Sequence, residues 1–272
     1  MQYQNTIPKT LTIAGSDSGG GAGIQADLKT FSALKTYGMS CLVALTAQNT
    51  QGVNSIHPVP EDFVKEQIKA VFEDIGVDSV KIGMLFSSEI IKQVAQELHV
   101  QKAGNIVLDP VMVSQNGDKL LQDNTINTMV SDLFPLTTII TPNLMEAEVL
   151  LDRKINGEEE EMEKAAKDLG KHGSDAVLLK GGHSAQGEAI DYLYYKKKDK
   201  VYHLTNERTE TTNTHGTGCT LSSAISAHLA RGFSLVEAVE EAKSYITGAI
   251  KAGSYYQIGQ GSGPVHHFFR FW

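Results

Sequence analysis

The feature that most constrains the fold is an alternation of short apolar runs with amphipathic stretches of helical length, which continues almost from end to end of the chain. This alternation is typical of βαβ units, so it predicts an α/β fold with a central, mostly parallel sheet and helices on both faces. Ligands of such sheets bind outside the carboxyl ends of the strands. The predicted strands are Leu11–Ala14, Cys41–Ala47, Ser79–Ile82, Ile106–Asp109, Thr138–Thr141 and Ala176–Lys180. The predicted helices are Gly23–Lys35, Glu61–Ile75, Ser88–Leu98, Met145–Leu151, Glu158–His172, Thr220–Arg231 and Leu235–Ala252.

One stretch, Ala189–Leu204, alternates with a shorter period and predicts an antiparallel hairpin. Its turn falls in the run Lys196–Lys198, which favours a solvated turn over a phosphate-binding site. The sequence has no Pro/Ser-rich linker, low-complexity tract or internal repeat. We therefore expect residues 1–272 to form a single domain.

Composition narrows the class of protein. The chain has 272 residues, 41% of them hydrophobic, and a formal net charge of -8 at pH 7. A nucleic-acid-binding protein would have a basic footprint, and a membrane span would need an apolar run of roughly 20 residues, so we expect neither partner. The first ten residues lack the apolar core of a signal peptide. The two cysteines, Cys41 and Cys219, form neither a disulfide framework nor a zinc-binding spacing, which favours a cytoplasmic location.

The segment Asn213–Ser223 sets the turn Gly216-Thr217-Gly218 directly before a predicted helix. Glycines allow a turn to direct its N–H groups towards one point, and a helix start adds unpaired donors and the positive end of the helix dipole. Such an arrangement binds anions, phosphate above all. Cys219 would feel the same field, so we expect a lowered thiol pKa. The alternative is an ordinary helix start with a small buried thiol.

The first glycine-rich loop also follows a strand and opens a helix. Gly21–Ala26 matches the dinucleotide pattern G-x-G-x-x-A, but no acidic residue follows the next strand, as a nicotinamide site would require. A Walker P-loop is also excluded, because Glu188 stands where the lysine must be after Gly182–Gly187. The glycines therefore suggest a backbone that closes over a small molecule. Asp27 is expected on the inner face of the first helical turn.

Gln48 follows a predicted strand in the run T-A-Q-N. Its amide offers a donor and an acceptor, which match the N–H group and ring nitrogen of an aminopyrimidine. The alternative is an amide that caps a turn. Met84 ends another predicted strand and fits either the core or a ligand contact.

Polar groups follow three further strands. Asp109 ends one strand, and Asn143 and Glu146 lie three residues apart at a predicted helix start, on one face of that helix. Carboxylates with an amide suit a hydrated Mg²⁺, although an N-cap with a dipole-matched glutamate is the alternative. Lys180 adds a cation at the next strand end. An anion site, paired acids and a cation are the parts that phosphoryl transfer needs.

Eight motifs, in this order, resemble the hydroxymethylpyrimidine/phosphomethylpyrimidine kinases of thiamine biosynthesis. They are A-G-S-D-S-G-G-G-A-G-I-Q-A-D-L-K-T-F, A-Q-N-T-Q-G-V, K-I-G-M-L, D-P-V-M, T-P-N-L-M-E-A, L-K-G-G-H, T-H-G-T-G-C-T and G-P-V-H-H-F. The resemblance covers the chain from about Leu11 to Trp272. It implies the ribokinase-like fold, a three-layer sandwich around a mostly parallel sheet.

The resemblance also implies an activity: two successive ATP-dependent phosphorylations of one pyrimidine, first at its hydroxymethyl group and then at the resulting phosphate. It implies ATP and Mg²⁺ as cofactors and a homodimer. The turn Gly216–Cys219 would surround the transferring phosphoryl group, with Cys219 as proton acceptor in the first step. The implied pyrimidine contacts are Gly15, Asp27, Gln48, Met84 and Val111. From their positions at strand ends and at helix starts, we expect Asn143, Lys180, Thr217 and Gly218 to contact ATP and Asp109 and Glu146 to bind the metal.

Three other functions remain open at this stage. A kinase of vitamin B6 compounds would act on rings that also carry a hydroxymethyl group. A non-catalytic pyrimidine-binding protein would not need Asp109, Glu146, Lys180 and Cys219. A thiol hydrolase would need His215 to orient towards Cys219, which its closeness in sequence makes difficult. His266 and His267 should point to opposite sides of an extended tail and serve packing rather than a metal site.

Overall fold

The computed structural model describes residues 6–112, 123–181 and 188–272, and every structural statement here refers to these residues. The strands are β1 (Lys9–Ala14), β2 (Tyr37–Leu42), β3 (Ala44–Asn49), β4 (Gly52–Pro58), β5 (Ser79–Ile82), β6 (Ile106–Leu108), β7 (Ile139–Ile140), β8 (Ala176–Lys180), β9 (Glu188–Tyr195) and β10 (Lys200–Glu207). The α-helices are α1 (Gly23–Ala33), α2 (Glu61–Asp74), α3 (Ser88–Val100), α4 (Asp123–Thr128), α5 (Leu144–Leu151), α6 (Glu159–Gly170), α7 (Thr217–Ala230) and α8 (Leu235–Gly253).

Eight of these strands form one sheet in the order β10-β9-β8-β7-β6-β5-β1-β2. From β8 to β2 every neighbouring pair is parallel, and β9 is antiparallel to both β8 and β10. The predicted α/β class, with a mostly parallel sheet and a β9–β10 hairpin, is confirmed. Because the parallel strands share one direction, the loops that follow them meet along one edge of the sheet.

Two apolar layers cover the sheet, one on each face. Along β6, Ile106 and Leu108 pack in the layer that contains α2, α3 and α6, whereas Val107 packs in the layer that contains α1, α7 and α8. Successive side chains of a strand point to opposite faces, so a strand buried on both faces is a continuous apolar run. This explains why the central strands could be recognised from short apolar runs.

The prediction of one strand at Cys41–Ala47 is wrong. The chain leaves the main sheet after Leu42, and β3 pairs instead with β4 in a separate two-stranded sheet. Every residue of β4 is exposed, so it lacks the apolar alternation by which a strand is recognised. A helical segment was missed too: α4 continues through a π-helical turn at Met129–Leu133.

Polar side chains are buried between the sheet and the α1–α7 layer. Lys81 and Asp27 are both fully buried, and Lys81 Nζ lies 2.9 and 3.0 Å from the two carboxylate oxygens of Asp27. Thr12 and Ser223 each donate a hydroxyl hydrogen bond of 2.6 Å to the same carboxylate. Burial alone would lower the pKa of Lys81, but the Asp27 charge raises it above its usual value.

None of the helices among the described residues combines the length and the apolar character that are needed to cross a bilayer.

The buried ion pair generates a stability prediction. Lys81→Met should lower the free energy of unfolding by about 3–5 kcal/mol, because the Asp27 carboxylate would remain buried without its cation. Lys154→Met is the matched control: Lys154 is an exposed partner of Glu148, so the loss there should stay within about 1 kcal/mol. Urea unfolding of both variants measures the difference. Equal, small losses would show that the buried pair contributes no more than a surface pair.

Candidate active site

A cleft of about 1260 Å³ lies at the sheet edge where the parallel strands end. It brings together residues that are far apart in the chain but that the sequence analysis had singled out. Of these, its lining contains Gln48, Asp109, Val111, Asn143, Glu146, Lys180, Gly216, Thr217, Gly218 and Cys219.

The turn before α7 is more compact than predicted. The helix begins at Thr217 rather than Thr220, and Gly216 is its N-cap with φ of 80°. A β-carbon at Gly216 would be strained at this φ and would also overlap the carbonyl oxygen of Gly21. The N–H groups of Gly218 and Cys219 lie in the first helical turn, where a helix leaves its donors unpaired. They therefore remain available to an anion in the cleft.

Asp109 and Lys180 face this turn. Lys180 Nζ lies 3.1 Å from Asp109 Oδ1, which also accepts a hydrogen bond of 3.0 Å from Thr141 Oγ1. A β-carbon at Gly218 would lie 3.3 Å from Asp109 Oδ2 and 3.5 Å from Lys180 Nζ, so the turn packs directly against the ion pair. The predicted acid, cation and anion site therefore form one cluster.

Asn143 and Glu146 form a capping box at the start of α5. Glu146 N donates to Asn143 Oδ1 at 2.9 Å, and Asn143 N donates to Glu146 Oε2 at 2.8 Å. The capping alternative is thus present, and it fixes Glu146 in the cleft wall. Burial raises the pKa of Glu146 to about 7; Lys180 opposes this shift and Asp109 adds to it. Two buried carboxylates whose charges repel one another favour a bound cation.

The predicted lowering of the Cys219 pKa is wrong. Desolvation raises the pKa of this thiol to about 11, and the lowering by the Lys81 charge is insufficient to reverse it, since Asp27 and Asp109 raise the pKa further. The helix start is present, but the thiol is only partly exposed and is flanked by carboxylates. Cys219 is therefore a neutral thiol near pH 7.

Gln48 lies at an irregularity in the hairpin. The β3–β4 register shifts between Ala47 and Gln48, and such a bulge redirects a side chain. Gln48 Oε1 accepts a hydrogen bond of 3.2 Å from Thr46 Oγ1. Both backbone groups of Gln48 bond the hydroxyl of Ser18 at 2.8 Å, which ties the hairpin to the first loop.

The other predicted pyrimidine contacts lie beside or behind this lining. A β-carbon at Gly15 would lie 3.6 Å from Met84 Cε, so these two residues, at neighbouring strand ends, are in contact range. Asp27 is on the inner face of α1, as expected. Its enclosed carboxylate is turned towards Lys81 rather than towards the cleft, which differs from the direct ligand contact that the resemblance implied.

The sequence analysis missed the role of Asp17. This carboxylate accepts hydrogen bonds from the N–H groups of Gly19, Gly21 and Ala22 at 2.8–3.0 Å and lies 2.8 Å from His215 Nε2. Burial alone would raise the pKa of Asp17, but His215 and the backbone donors hold it below its usual value. The available signal was an aspartate followed, after Ser18, by the three glycines Gly19–Gly21. The same contact directs His215 to Asp17, which disfavours a thiol hydrolase.

The far half of the cleft was also missed, because polar residues after an edge strand carry no recognisable motif. It is built by the end of β10, the segment after it and one face of α8. The lining there contains Asn206, Glu207, Arg208, Thr209, Glu210, Thr211, Thr212, Lys243, Ile246, Thr247 and Ile250.

The adjacent tail histidines contact different groups. His267 Nε2 lies 3.1 Å from Thr220 Oγ1, whereas the His266 ring packs against Trp272 at a centroid distance of 4.5 Å. Both side chains are buried, which agrees with the packing role expected from the sequence.

The raised pKa of Cys219 predicts its reactivity. Alkylation by iodoacetamide should be slow near pH 7.5 and should accelerate about tenfold per pH unit up to about pH 11, because only the thiolate reacts. Mass spectrometry of the labelled peptide separates Cys219 from Cys41, a fully buried thiol whose pKa burial raises to about 12. A labelling rate at Cys219 that is already at its maximum at pH 7.5 would contradict the geometry described here.

Comparisons with known proteins identify the family of this chain. The family model described as phosphomethylpyrimidine kinase matches residues 17–266. A hydroxymethylpyrimidine/phosphomethylpyrimidine kinase of Rhizobium meliloti is 50% identical over 262 residues, which cover 96% of this chain and 97% of the relative.

Two solved structures have the same fold. A phosphomethylpyrimidine kinase from Clostridium difficile is similar at a TM-score of 0.79 and 46% identity, over 90% of this chain and all of the other. A pyridoxal kinase from Staphylococcus aureus, in complex with AMP-PCP and pyridoxal, is similar at a TM-score of 0.88 and 37% identity, over 98% and 96% of the two chains. The chain therefore belongs to the phosphomethylpyrimidine kinase family, within the ribokinase-like fold.

Proposed function

We propose that this protein phosphorylates the hydroxymethyl group of 4-amino-5-hydroxymethyl-2-methylpyrimidine with ATP and then phosphorylates the monophosphate to the diphosphate, in thiamine biosynthesis. The observation that carries the proposal is the packing of the Gly216–Cys219 turn against the Asp109–Lys180 pair. A cation and oriented N–H donors at one point are what a transferring phosphoryl group requires. Membership of the family supports the choice of substrate.

The proposed ATP contacts are Lys180 and Asn143 on one side and Thr217 and Gly218 on the other. Lys180 and Asn143 are neighbours through a parallel backbone bridge, so both can face the phosphates. The similar pyridoxal kinase in complex with AMP-PCP supports a nucleoside triphosphate as the phosphoryl donor. The far half of the cleft, between β10 and α8, has the room and the apolar side chains for a nucleoside.

Asp109 and Glu146 are the proposed Mg²⁺ ligands. Their fit rests on donor chemistry. Both are buried carboxylates, and burial together with the Asp109 charge raises the pKa of Glu146 despite Lys180, so a further cation would favour the ionised form. Mg²⁺ prefers oxygen ligands and keeps several of its waters, and when bound it would neutralise charge on the ATP phosphates.

The proposed pyrimidine site places Gln48 opposite the aminopyrimidine edge, where its amide can donate and accept together. Val111 lines the same cleft, and Gly15 with Met84 would close the site from the sheet edge. Asp27 has an indirect role in this scheme: it fixes Lys81 and Ser223 behind Cys219.

Cys219 is a thiol at rest, so only its minor thiolate form, whose own proton has gone to solvent, can accept the hydroxyl proton of the first step. Phosphoryl transfer depends mainly on positioning and electrostatics, and the hydroxyl proton must still leave in the first step. The second step attacks through a phosphate oxygen that is already ionised near neutral pH. A proton acceptor is therefore needed in the first step and not in the second.

This difference predicts unequal effects of one substitution. Cys219→Ala should lower kcat of the first phosphorylation by about 10²-fold, the low end for general-base catalysis, and should change the second step much less. Steady-state kinetics with each pyrimidine as substrate measures the two effects, and Cys41→Ala is the control for loss of a thiol remote from the cleft. Equal losses in both steps would contradict the role of Cys219 as proton acceptor.

The activity itself is tested by ADP release. The protein with MgATP should turn over hydroxymethylpyrimidine and its monophosphate, and Asp109→Asn should abolish both reactions because it weakens the Lys180 contact and the metal site together. Pyridoxal should react slowly; it is included because a similar structure is a pyridoxal kinase. Turnover of pyridoxal alone would move the assignment to vitamin B6 salvage. Saturable pyrimidine binding without turnover would leave a non-catalytic binding protein.

We also propose a single domain over residues 1–272, a homodimer and a cytoplasmic location. One continuous sheet supports the first proposal. Exposed apolar side chains on the hairpin and α2, Val53 and Phe63 among them, offer a surface for a second copy. Light scattering at the mass of one chain, 29.5 kDa, would contradict the dimer, and cell fractionation tests the location.

A further inference from the structure

The β3–β4 hairpin that carries Gln48 needs support from elsewhere. It has two strands, and β4 is exposed at every residue. A two-stranded sheet is marginally stable by itself in water. Ser18 of the first loop bonds the backbone of Gln48, and the position of Gln48 in the cleft depends in addition on what holds the hairpin tip.

The C-terminal glycine-rich segment holds that tip. Ser262 N donates to Thr50 O at 3.0 Å, and Gly261 N donates to Thr50 Oγ1 at 3.2 Å. A β-carbon at Gly261 would overlap the Thr50 carbonyl oxygen. Thr50 lies two residues after Gln48, so these contacts fix the end of the strand on which Gln48 stands.

The same segment is bonded to the chain just before the anion-binding turn. Gly263 O accepts a hydrogen bond of 3.0 Å from His215 N, and Ser262 Oγ donates to Thr212 O at 2.9 Å. A β-carbon at Gly263 would overlap the amide oxygen of Asn213. Gly216 follows His215 directly. Residues 261–263 thus join the hairpin tip to the start of the turn: Gly261 and Ser262 bond Thr50, and Ser262 and Gly263 bond the chain before Gly216.

We propose that Gly261–Gly263, which we call the glycine strap, is a positioning element that sets the distance between Gln48 and the Gly216–Cys219 turn. The inference rests on the proposed contact between Gln48 and the pyrimidine. The ring edge must reach Gln48 while the hydroxymethyl group reaches the turn, so a shift of the hairpin affects pyrimidine binding first. ATP contacts the other side of the turn and depends less on the hairpin.

The test is Gly261→Ala, with Gly104→Ala as matched control. Neither glycine has a left-handed φ; a β-carbon at Gly261 meets the Thr50 backbone, whereas one at Gly104 meets open space. We expect Gly261→Ala to raise KM for hydroxymethylpyrimidine about tenfold or more, since misplacement by about 1 Å can cost 10²-fold. KM for ATP should change less than about twofold, and Gly104→Ala should change neither value.

Several outcomes would overturn the proposal. A folded Gly261→Ala protein with an unchanged KM for the pyrimidine excludes a positioning role, and equal losses for both substrates indicate a general structural defect. If Gly261→Ala does not fold, Thr50→Ala replaces it: it removes the hydroxyl partner of Gly261 and should raise the same KM, while Thr50→Ser should restore it. Gln48→Ala is measured in parallel. If Gly261→Ala raises KM for the pyrimidine and Gln48→Ala does not, Gln48 does not contact the pyrimidine and the proposal is wrong. If only Gln48→Ala raises this KM, the contact of Gln48 stands and only the positioning role of the glycine strap is wrong.

Discussion

The cleft depends on the interaction between the ionised carboxylate of Asp17 and His215. The carboxylate accepts hydrogen bonds from three backbone N–H groups of its own loop. It also bonds the ring of His215, which lies nearly two hundred residues further along the chain. This contact brings the first loop and the anion-binding turn together at a distance that only glycine tolerates, because Gly216 packs on the Gly21 carbonyl. Without it, the donors of α7 would not face Asp109 and Lys180.

The buried Lys81–Asp27 pair behind the cleft affects the protonation state of Cys219. Lys81 is enclosed with Asp27, and its charge is largely committed to that carboxylate. Burial raises the pKa of Cys219, one helical turn before Ser223, and the Lys81 charge does not reverse this because Asp27 and Asp109 oppose it. A site arranged in this way keeps its thiol protonated at rest and relies on oriented donors and cations for phosphoryl transfer. Catalysis at this site therefore depends more on electrostatic stabilisation of the phosphoryl group than on a nucleophilic thiolate.

The elements predicted best from the sequence are strands that are buried on both faces and helices that have one apolar face. The strands near Ile106 and Ala176 and the long helices α2 and α8 could be predicted, because burial imposes a strict apolar pattern. The β4 strand could not, since an exposed strand held at its tip by Thr50 needs no such pattern. The start of α7 was misplaced because a left-handed glycine can serve as an N-cap as well as a turn residue.

The sequence by itself determined the order of the elements and the mostly parallel direction of the strands. It also determined the edge of the sheet at which Asp109, Lys180 and the glycine turn would meet. These follow from local patterns, because parallel strands necessarily end on the same side. Only the tertiary structure decided which groups neutralise one another and which are removed from water. The state of Cys219, the inward turn of Asp27 and the link from the C-terminal glycines to Thr50 depend on distances between segments that are remote in sequence, and electrostatic and steric terms change steeply with such distances.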